Sequence, residues 1–169
     1  MDVLDVIFTR RSIRSFTGES ISEEQLTTIL KAGFQAPSAH NRQPREYIVL
    51  KDPQTLEKIP GFHPYTKMLP KAKCGIVVCG IKEKQPEEGF LALDSAASIQ
   101  NMLLAANGLG LGAVWCGLYP IPELIEPISE LLGLPEHIIP ISMVVVGVKD
   151  KDVTPVDRYD ESNIHYDKW

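Results

Sequence analysis

Residues 10–16 concentrate side chains that bind anions. They read Arg-Arg-Ser-Ile-Arg-Ser-Phe and hold three of the six arginines of the chain within five residues. A guanidinium group offers a planar fork of donors that fits phosphate oxygens, and the Ser12 hydroxyl adds a short donor in the same turn. The spacing predicts a site for a compact dianion such as a phosphate. A solvated basic loop is the alternative.

Two further segments carry groups that could contact a ligand. Residues 36–44 read Ala-Pro-Ser-Ala-His-Asn-Arg-Gln-Pro, and prolines exclude a helix interior or a central strand there. Residues 108–117 are rich in glycine and end on Cys116 and Gly117. The first segment is predicted to be a loop rich in side-chain donors. The second is predicted to contain a short strand that stops on a glycine.

Hydrophobic periodicity and end signals predict the helices that must position these segments. The first begins at Asp2 and ends near Thr9, and a capping box at residues 22–25 begins the second. A weaker pattern covers residues 54–59, and the longest helix spans residues 89–107. Pro122 and Pro127 each indicate the start of a further helix. The inner face of the first helix is predicted to consist of Val3, Leu4, Ile7 and Phe8.

Strands are predicted at residues 47–50, 74–81, 113–117 and 141–148. Residues 74–81 are continuously apolar, which is typical of a strand buried on both faces. Residues 60–70 are irregular and contain an aromatic and basic mixture, which is typical of a functional lid. Because strands and helices alternate, the pattern predicts a layered α/β or α+β sheet covered by helices.

The composition is that of a soluble domain. The chain has 169 residues, of which 44% are hydrophobic and 23% are charged. A net charge of −5 argues against nucleic acid as a partner, and no apolar run approaches the length of a membrane span. The N-terminus lacks a basic region followed by an apolar stretch, so we expect a cytoplasmic protein.

The cysteines and histidines do not indicate a metal site. Cys74, Cys79 and Cys116 lie in apolar sequence, which favours buried thiols over redox or metal-binding roles. The four histidines are scattered without ligand spacing. We therefore expect no metal and no nucleophilic side chain of the Ser-His-Asp or Cys-His type.

The C-terminal residues differ from the rest of the chain. Residues 1–150 are predicted to form one domain, and residues 151–169 a polar extension. Ile164, Tyr166 and Trp169 recur in this extension at a spacing typical of a strand. Aromatic side chains in a polar tail favour docking on another surface, and a frayed tail is the alternative.

Together these segments resemble the FMN-dependent nitroreductase family. The resemblance rests on residues 10–16, on the Pro-Ser-x-x-Asn-x-Gln-Pro loop at residues 37–44, on residues 108–117, and on the ending around Arg158. It covers nearly the whole chain. The family often has an aromatic residue directly after Gln-Pro, and this chain has Arg45. The resemblance implies a mixed sheet flanked by helices in an intertwined homodimer.

The resemblance also implies which residues hold FMN. Arg10, Ser12 and Arg14 would bind its phosphate and ribityl end, with Arg158 closing that site. A loop from the partner subunit would cover the flavin, and the backbone amides of Cys116 and Gly117 would face its reactive nitrogen. In chain order, the implied cofactor-binding residues are Arg10, Arg11, Ser12, Arg14, Pro37, Ser38, Ala39, Asn41, Gln43, Trp115, Cys116, Gly117 and Arg158.

The function implied by the resemblance is electron transfer from NAD(P)H through FMN to nitroaromatic, quinone or similar small acceptors. The flavin would perform the chemistry by a ping-pong mechanism, so we expect no catalytic side chain. Two alternatives stay open. One is an FMN enzyme of related fold with different chemistry, such as a dehalogenase, an enone reductase or a flavin-processing enzyme. The other is a non-catalytic flavin-binding module.

Overall fold

The computed structural model of the chain describes residues 2–169. Its centre is a four-stranded sheet in the order β1-β2-β4-β3, with antiparallel pairing throughout. The strands are β1 (Arg45–Leu50), β2 (Gly75–Ile81), β3 (Gly112–Gly117) and β4 (Ile138–Gly147). A parallel bridge between Ser12 and Ala113 adds a mixed element at the β3 edge. The predicted α+β fold is confirmed.

Helices cover both faces of this sheet. They are α1 (Val3–Thr9), α2 (Glu23–Phe34), α3 (Pro53–Lys58), α4 (Leu69–Ala72), α5 (Glu88–Gly108) and α6 (Pro122–Leu132). Short 3-10 turns span Ala39–Asn41, Ile59–Gly61 and Glu161–Asn163. Capping boxes centred on Asp2 and Ser22 begin α1 and α2, as the sequence predicts, and a left-handed Gly133 ends α6.

The alternation of side chains along β2 explains its continuous apolar sequence. All seven residues of β2 are buried. Ile76 and Val78 pack with α2 and α5 on one face, whereas Val77 and Cys79 pack with α3, α4 and α6 on the other. Helices α2 and α5 pack very closely at Gly33 of α2, where an added Cβ atom would lie only 2.4 Å from Cε of Met102 of α5.

The prediction that Val3, Leu4, Ile7 and Phe8 form an inner face of α1 is wrong for the single chain. None of its four apolar residues is buried, and Val3 and Phe8 are 71% and 66% exposed. Helix α1 is attached at its edge instead, where the Asn107 side chain donates to the Val6 carbonyl at 3.0 Å. Periodicity identifies an apolar stripe but not the surface that covers it.

The prediction of two helix starts after residue 120 is also wrong at the second proline. Pro127 lies inside α6, which continues to Leu132. Proline removes one helical hydrogen bond, but Leu124 and Ile128 on either side of it are buried in the core. Tertiary packing of this face thus keeps the helix continuous across Pro127.

Candidate functional site

The arginine-rich turn runs along the outer edge of the sheet. The Ile13 amide donates to the Ala113 carbonyl of β3 at 3.0 Å, and Phe16 pairs with Lys149 after β4. Ile13 and Phe16 are buried and anchor the turn in the core. Ser12 and Arg14, which flank Ile13, remain exposed. Alternation along this extended segment therefore keeps its polar groups on the solvent side.

A cleft of about 730 Å³ is lined by two of the predicted phosphate ligands, Arg10 and Arg158, whereas Ser12 and Arg14 are not among its lining residues. Arg10 and Arg11 line it together with Arg158 from the C-terminal extension, and the apolar residues Ile7 and Phe8 of α1 form another wall. Burial lowers the pKa of Arg10, and the neighbouring charges of Arg11 and Arg158 lower it further. Within residues 2–169, none of these arginines forms an ion pair. Asp157 also lines the cleft, so three arginines and one carboxylate meet there, and the net positive charge suits an anion.

Arg11 differs from the other two arginines in how its donors are used. Its Nη1 donates to the carbonyls of Phe8, at 3.1 Å, and Arg10, at 2.6 Å. Its Nη2 donates to the Val156 carbonyl at 2.8 Å. Arg11 therefore joins the end of α1 to the C-terminal extension, although sequence reasoning placed it among the cofactor ligands.

A second cationic group lies next to the arginine turn. Arg14 lines a smaller cavity of about 260 Å³ together with Tyr65 and Lys67. The charge of Arg14 also reaches Cys116: burial raises the pKa of that thiol to about 11, and Arg14 opposes the rise. Lys67 was absent from the predicted site. Its signal in the sequence was the aromatic and basic mixture of residues 60–70.

The end of β3 is fixed by contacts from distant parts of the chain. The ring Nε2 of His63 lies 2.9 Å from the Gly117 carbonyl, and the Ser142 hydroxyl donates to the Cys116 carbonyl at 2.8 Å. His63 is buried, and its Nδ1 is placed to accept from the Tyr65 amide at 3.4 Å. Donation from Nε2 to Gly117 is the consistent assignment. The peptide groups predicted to face the flavin are therefore held in place.

Trp115, the remaining β3 residue of the predicted set, is 38% exposed. Its neighbours Val114 and Cys116 are buried. Because side chains alternate along a strand, the indole lies on the face opposite to that of Cys116. Part of this large aromatic surface is thus open for a ligand or a partner.

The loop after α2 has a strained but well-connected backbone. His40, Asn41 and Gln43 adopt left-handed φ values of 52°, 55° and 52°. Non-glycine residues avoid this region unless other contacts hold them there. The Ser38 hydroxyl accepts from the Gln43 amide at 2.9 Å, and the Asn41 side chain accepts from the Gln43 side chain at 2.7 Å. These contacts shape the loop from within.

Two buried charged side chains also hold this loop. Asp94 on α5 accepts from the Ala39 amide at 2.8 Å. Arg45 is only 4% exposed and donates through Nη2 to the Phe34 and Ala36 carbonyls, at 2.8 and 2.6 Å, and to the Gln43 side chain. Pro37 itself is exposed at the start of the loop. Sequence reasoning placed neither Asp94 nor Arg45 in the site.

The described groups support binding better than side-chain catalysis. Among residues 2–169, no group of three or more His, Cys, Asp or Glu side chains could hold a metal ion. Burial keeps the three cysteines free and protonated at neutral pH, with their pKa values raised to about 11 or 12. The described groups comprise arginines outside ion pairs, a backbone turn held by His63 and an exposed loop with side-chain donors. No helix in the same residues has the length and apolar character to cross a membrane.

Fold and site thus define an α+β protein with a cationic cleft lined by Arg10, Arg11 and Arg158. The sequence model of the Nitroreductase family matches residues 7–62 and 63–148. A protein of Methanothermobacter thermautotrophicus, provisionally named an NADH dehydrogenase/NAD(P)H nitroreductase, is 41% identical and aligns with 100% of this chain and 88% of its own. The chain belongs to the nitroreductase family.

Solved structures agree with this assignment. A Parabacteroides distasonis protein, with the same provisional name, superposes with a TM-score of 0.95 at 36% identity, covering 99% of this chain and 98% of that one. The NADPH:FMN oxidoreductase of Vibrio harveyi, solved with NAD+, gives a TM-score of 0.87 at 27% identity over 99% of this chain and 77% of its own. The fold is therefore that of the family throughout.

Proposed function

We propose that this protein is an FMN-dependent oxidoreductase that passes electrons from NAD(P)H to nitroaromatic, quinone or similar small acceptors. The observation that carries the proposal is the cleft in which Arg10 and Arg158 lie side by side, neither in a described ion pair. Relatives support it by their names, which include an FMN reductase (NADPH) of Bacillus subtilis and an oxygen-insensitive NADPH nitroreductase of Salmonella typhimurium. A cytoplasmic location is part of the same proposal.

The residues of the cleft suit the phosphate of FMN. Arg10 and Arg158 present guanidinium donors there, and Ser12 adds a hydroxyl at the exposed edge of the turn. Charge-assisted hydrogen bonds to a phosphate are short and strong, and arginine can make them in pairs. Arg14 and Lys67 extend the positive surface towards the end of β3. An anionic ligand would relieve the repulsion that these cations exert on one another.

At the other end of the site, the chain contributes backbone groups. Bound FMN would supply hydride and electron transfer in a ping-pong sequence. The amides of Cys116 and Gly117 would donate to the flavin where negative charge accumulates, and His63 and Ser142 hold the adjoining carbonyls. Preorganised donors stabilise such charge without reorganising during the reaction.

We also propose that the protein acts as a homodimer in which each site uses residues of both chains. Large apolar side chains are exposed on α1, at the end of α2, on α5 and on β3. Scattered exposed apolar residues are ordinary, but several helices presenting them together favour a protein interface. The residues in question are Val3, Leu4, Ile7, Phe8, Phe34, Phe90, Leu93 and Trp115.

In this arrangement the loop at residues 37–43 would reach the flavin of the partner subunit, and residues 151–169 would pack on that subunit. The side chains of Ile164, Tyr166 and Trp169 are 40%, 80% and 102% exposed on their own chain. Aromatic anchors of this kind bury a large area at low entropic cost when they meet a partner.

The cofactor is tested by the flavin content of the purified protein. Arg10→Ala should weaken FMN binding by roughly 10- to 150-fold, the equivalent of about 1.5–3 kcal/mol for a lost charge-assisted hydrogen bond. Lys31→Ala, on the exposed side of α2, is the matched loss of one positive charge away from the cleft. Equal FMN affinity in both variants would contradict the phosphate site.

The reaction is tested anaerobically by adding NADH or NADPH and then oxidised acceptors. Bleaching of the flavin absorbance followed by its return with nitroaromatics or quinones is expected. Bleaching followed by return only with halogenated aromatics or enones would indicate the other FMN chemistries. A flavin that NAD(P)H cannot bleach would indicate a non-catalytic module.

The dimer is tested by truncation after Asp160. Loss of Ile164, Tyr166 and Trp169 should weaken the dimer and FMN retention together, as measured by sedimentation and by flavin absorbance. Tyr119→Phe, which removes only a hydroxyl bonded to Glu88, is a control that leaves the apolar faces intact. A full-length monomer of 18.8 kDa with full FMN occupancy would refute the shared site.

A further inference from the structure

Arg11 has fewer hydrogen-bond donors available for a phosphate than Arg10. Both hydrogens of its Nη1 have backbone acceptors, the carbonyls of Phe8 and Arg10. Its Nε is fully buried without a partner, and Nη2 already donates to Val156. Bidentate binding of a phosphate requires two adjacent donors that the ligand can reach. Two N–H groups of Arg11 stay unused, one on Nη2 and the one on Nε, but the Nε atom is buried. The single chain therefore exposes at most one free donor of Arg11.

The contact with Val156 lies where the C-terminal extension has little else to hold it. All residues from 151 to 169 are exposed. The start of this extension is attached by Asp150, whose amide donates to the Ser15 carbonyl at 3.1 Å and whose carboxylate accepts from the Ser15 hydroxyl at 2.9 Å. Asp152 forms a local ion pair with Lys149, and the Arg11 contact with Val156 follows it, two residues before Arg158.

We propose that Arg11 is a positioning residue that holds the extension through the Val156 carbonyl, so that Arg158 stands beside Arg10 in the cleft. The inference rests on the proposed function, because FMN is the anion that the cleft would bind. Fixing the backbone of a residue costs conformational entropy. A tethered segment bears this cost before the ligand arrives, whereas a free segment bears it on binding.

The geometry of the cleft agrees with this role. The cleft is lined by the unbroken run of residues 155–159, which includes Val156, Asp157 and Arg158, together with Ile7 and Phe8 of α1. The tether thus spans from the end of α1 to the extension, and the space between them is the site. A positioning residue of this kind should matter for a ligand that has a phosphate and not for one that lacks it.

The test compares FMN with riboflavin, which lacks the phosphate, on the full-length protein. Arg11→Met and Arg158→Met should each weaken FMN binding by about 10-fold or more, with riboflavin affinity unchanged within about twofold. The double variant Arg11→Met/Arg158→Met should bind FMN no more weakly than whichever single variant binds it more weakly, because Arg11 acts through Arg158. Arg10→Met combined with Arg158→Met should lose more than either single change.

Other outcomes would overturn the inference. If the fold-losses of FMN affinity in Arg11→Met and Arg158→Met multiply in the double variant, Arg11 is an independent phosphate ligand. If Arg11→Met weakens the binding of FMN and riboflavin equally, Arg11 supports the fold in general and not the phosphate site. If its FMN affinity is unchanged, Arg11 does not position Arg158. If Arg11→Met does not fold, Arg11→Lys replaces it, since lysine keeps the charge but cannot span three carbonyls.

A second readout needs no flavin. Trypsin should cut after Lys151 and Arg158 faster in the Arg11 variant than in the wild type, because release of Val156 frees the extension. Equal cleavage rates would refute the tether. If the wild type binds neither FMN nor riboflavin, the proposed function fails, while the trypsin result still decides whether Arg11 holds the extension.

Discussion

Replacement of Arg45 is the perturbation for which the structure gives the clearest expectation. The side chain lies beneath the loop at residues 37–43 and caps the C-terminal end of α2 through the Phe34 and Ala36 carbonyls. Within residues 2–169 it has no carboxylate at ion-pair distance. Its charge is instead balanced by carbonyl dipoles at a helix C-terminus, where cations are favoured.

The magnitude follows from these contacts. Arg45→Met removes two charge-assisted hydrogen bonds to backbone, which are worth about 1.5–3 kcal/mol each. Removal of a buried charge without a counterion offsets part of the loss. We expect the free energy of unfolding to fall by about 2–4 kcal/mol, and FMN affinity to fall as well because the left-handed residues of the loop lose support.

Lys51 provides the control. It follows β1, is exposed, and pairs only with Glu23 on the surface among the described ion pairs. Surface ion pairs contribute about 0–1 kcal/mol, so Lys51→Met should change stability by less than about 1 kcal/mol. Urea unfolding of the apo protein measures both variants. A loss for Arg45→Met no larger than that for Lys51→Met would refute the capping role.

Two further predictions concern the end of β3 and the buried thiols. His63→Ala should shift the ratio of the affinities for oxidised and reduced FMN by up to about tenfold, or about 30 mV in midpoint potential, and His63→Gln should largely restore the wild-type ratio. A dye-linked anaerobic titration measures the midpoint potential, and equal potentials in all three proteins would refute the role of His63. Burial raises the pKa of Cys79 to about 12 and that of Cys116 to about 11, against 9.0 for an exposed thiol. The unfolded chain alone loses these protons above pH 9, so urea unfolding should show stability falling from pH 9 to 11, and a constant value would contradict the burial argument.

Local sequence determined most of the secondary structure. Ser22 and Gln25 form the capping box that their spacing predicts, because each side chain accepts a hydrogen bond from the backbone amide of the other residue. Continuous apolar sequence at residues 74–81 predicted a doubly buried strand, and β2 is buried along its whole length. The antiparallel order of the four strands was not predicted, since pairing depends on contacts far apart in sequence.

For the candidate site, sequence determined the types of residue and only part of their arrangement. The arginines at 10, 11 and 14 were evident from spacing, and the structure brings Arg158 to the first two. Spacing could not separate the donors of Arg11 from those of Arg10, because only the backbone path of the extension decides which carbonyls Arg11 meets. Whether these residues hold FMN stays a prediction.

Tertiary structure alone decided which side chains support the site. His63 meets Gly117 across 54 positions, and Asp94 meets Ala39 across 55. Such contacts leave no periodic signal, since they arise when the whole core packs. The same reason explains the error at α1: the sequence determined that Val3 and Phe8 share an apolar stripe, but only packing decides what covers it, and the single chain leaves both exposed.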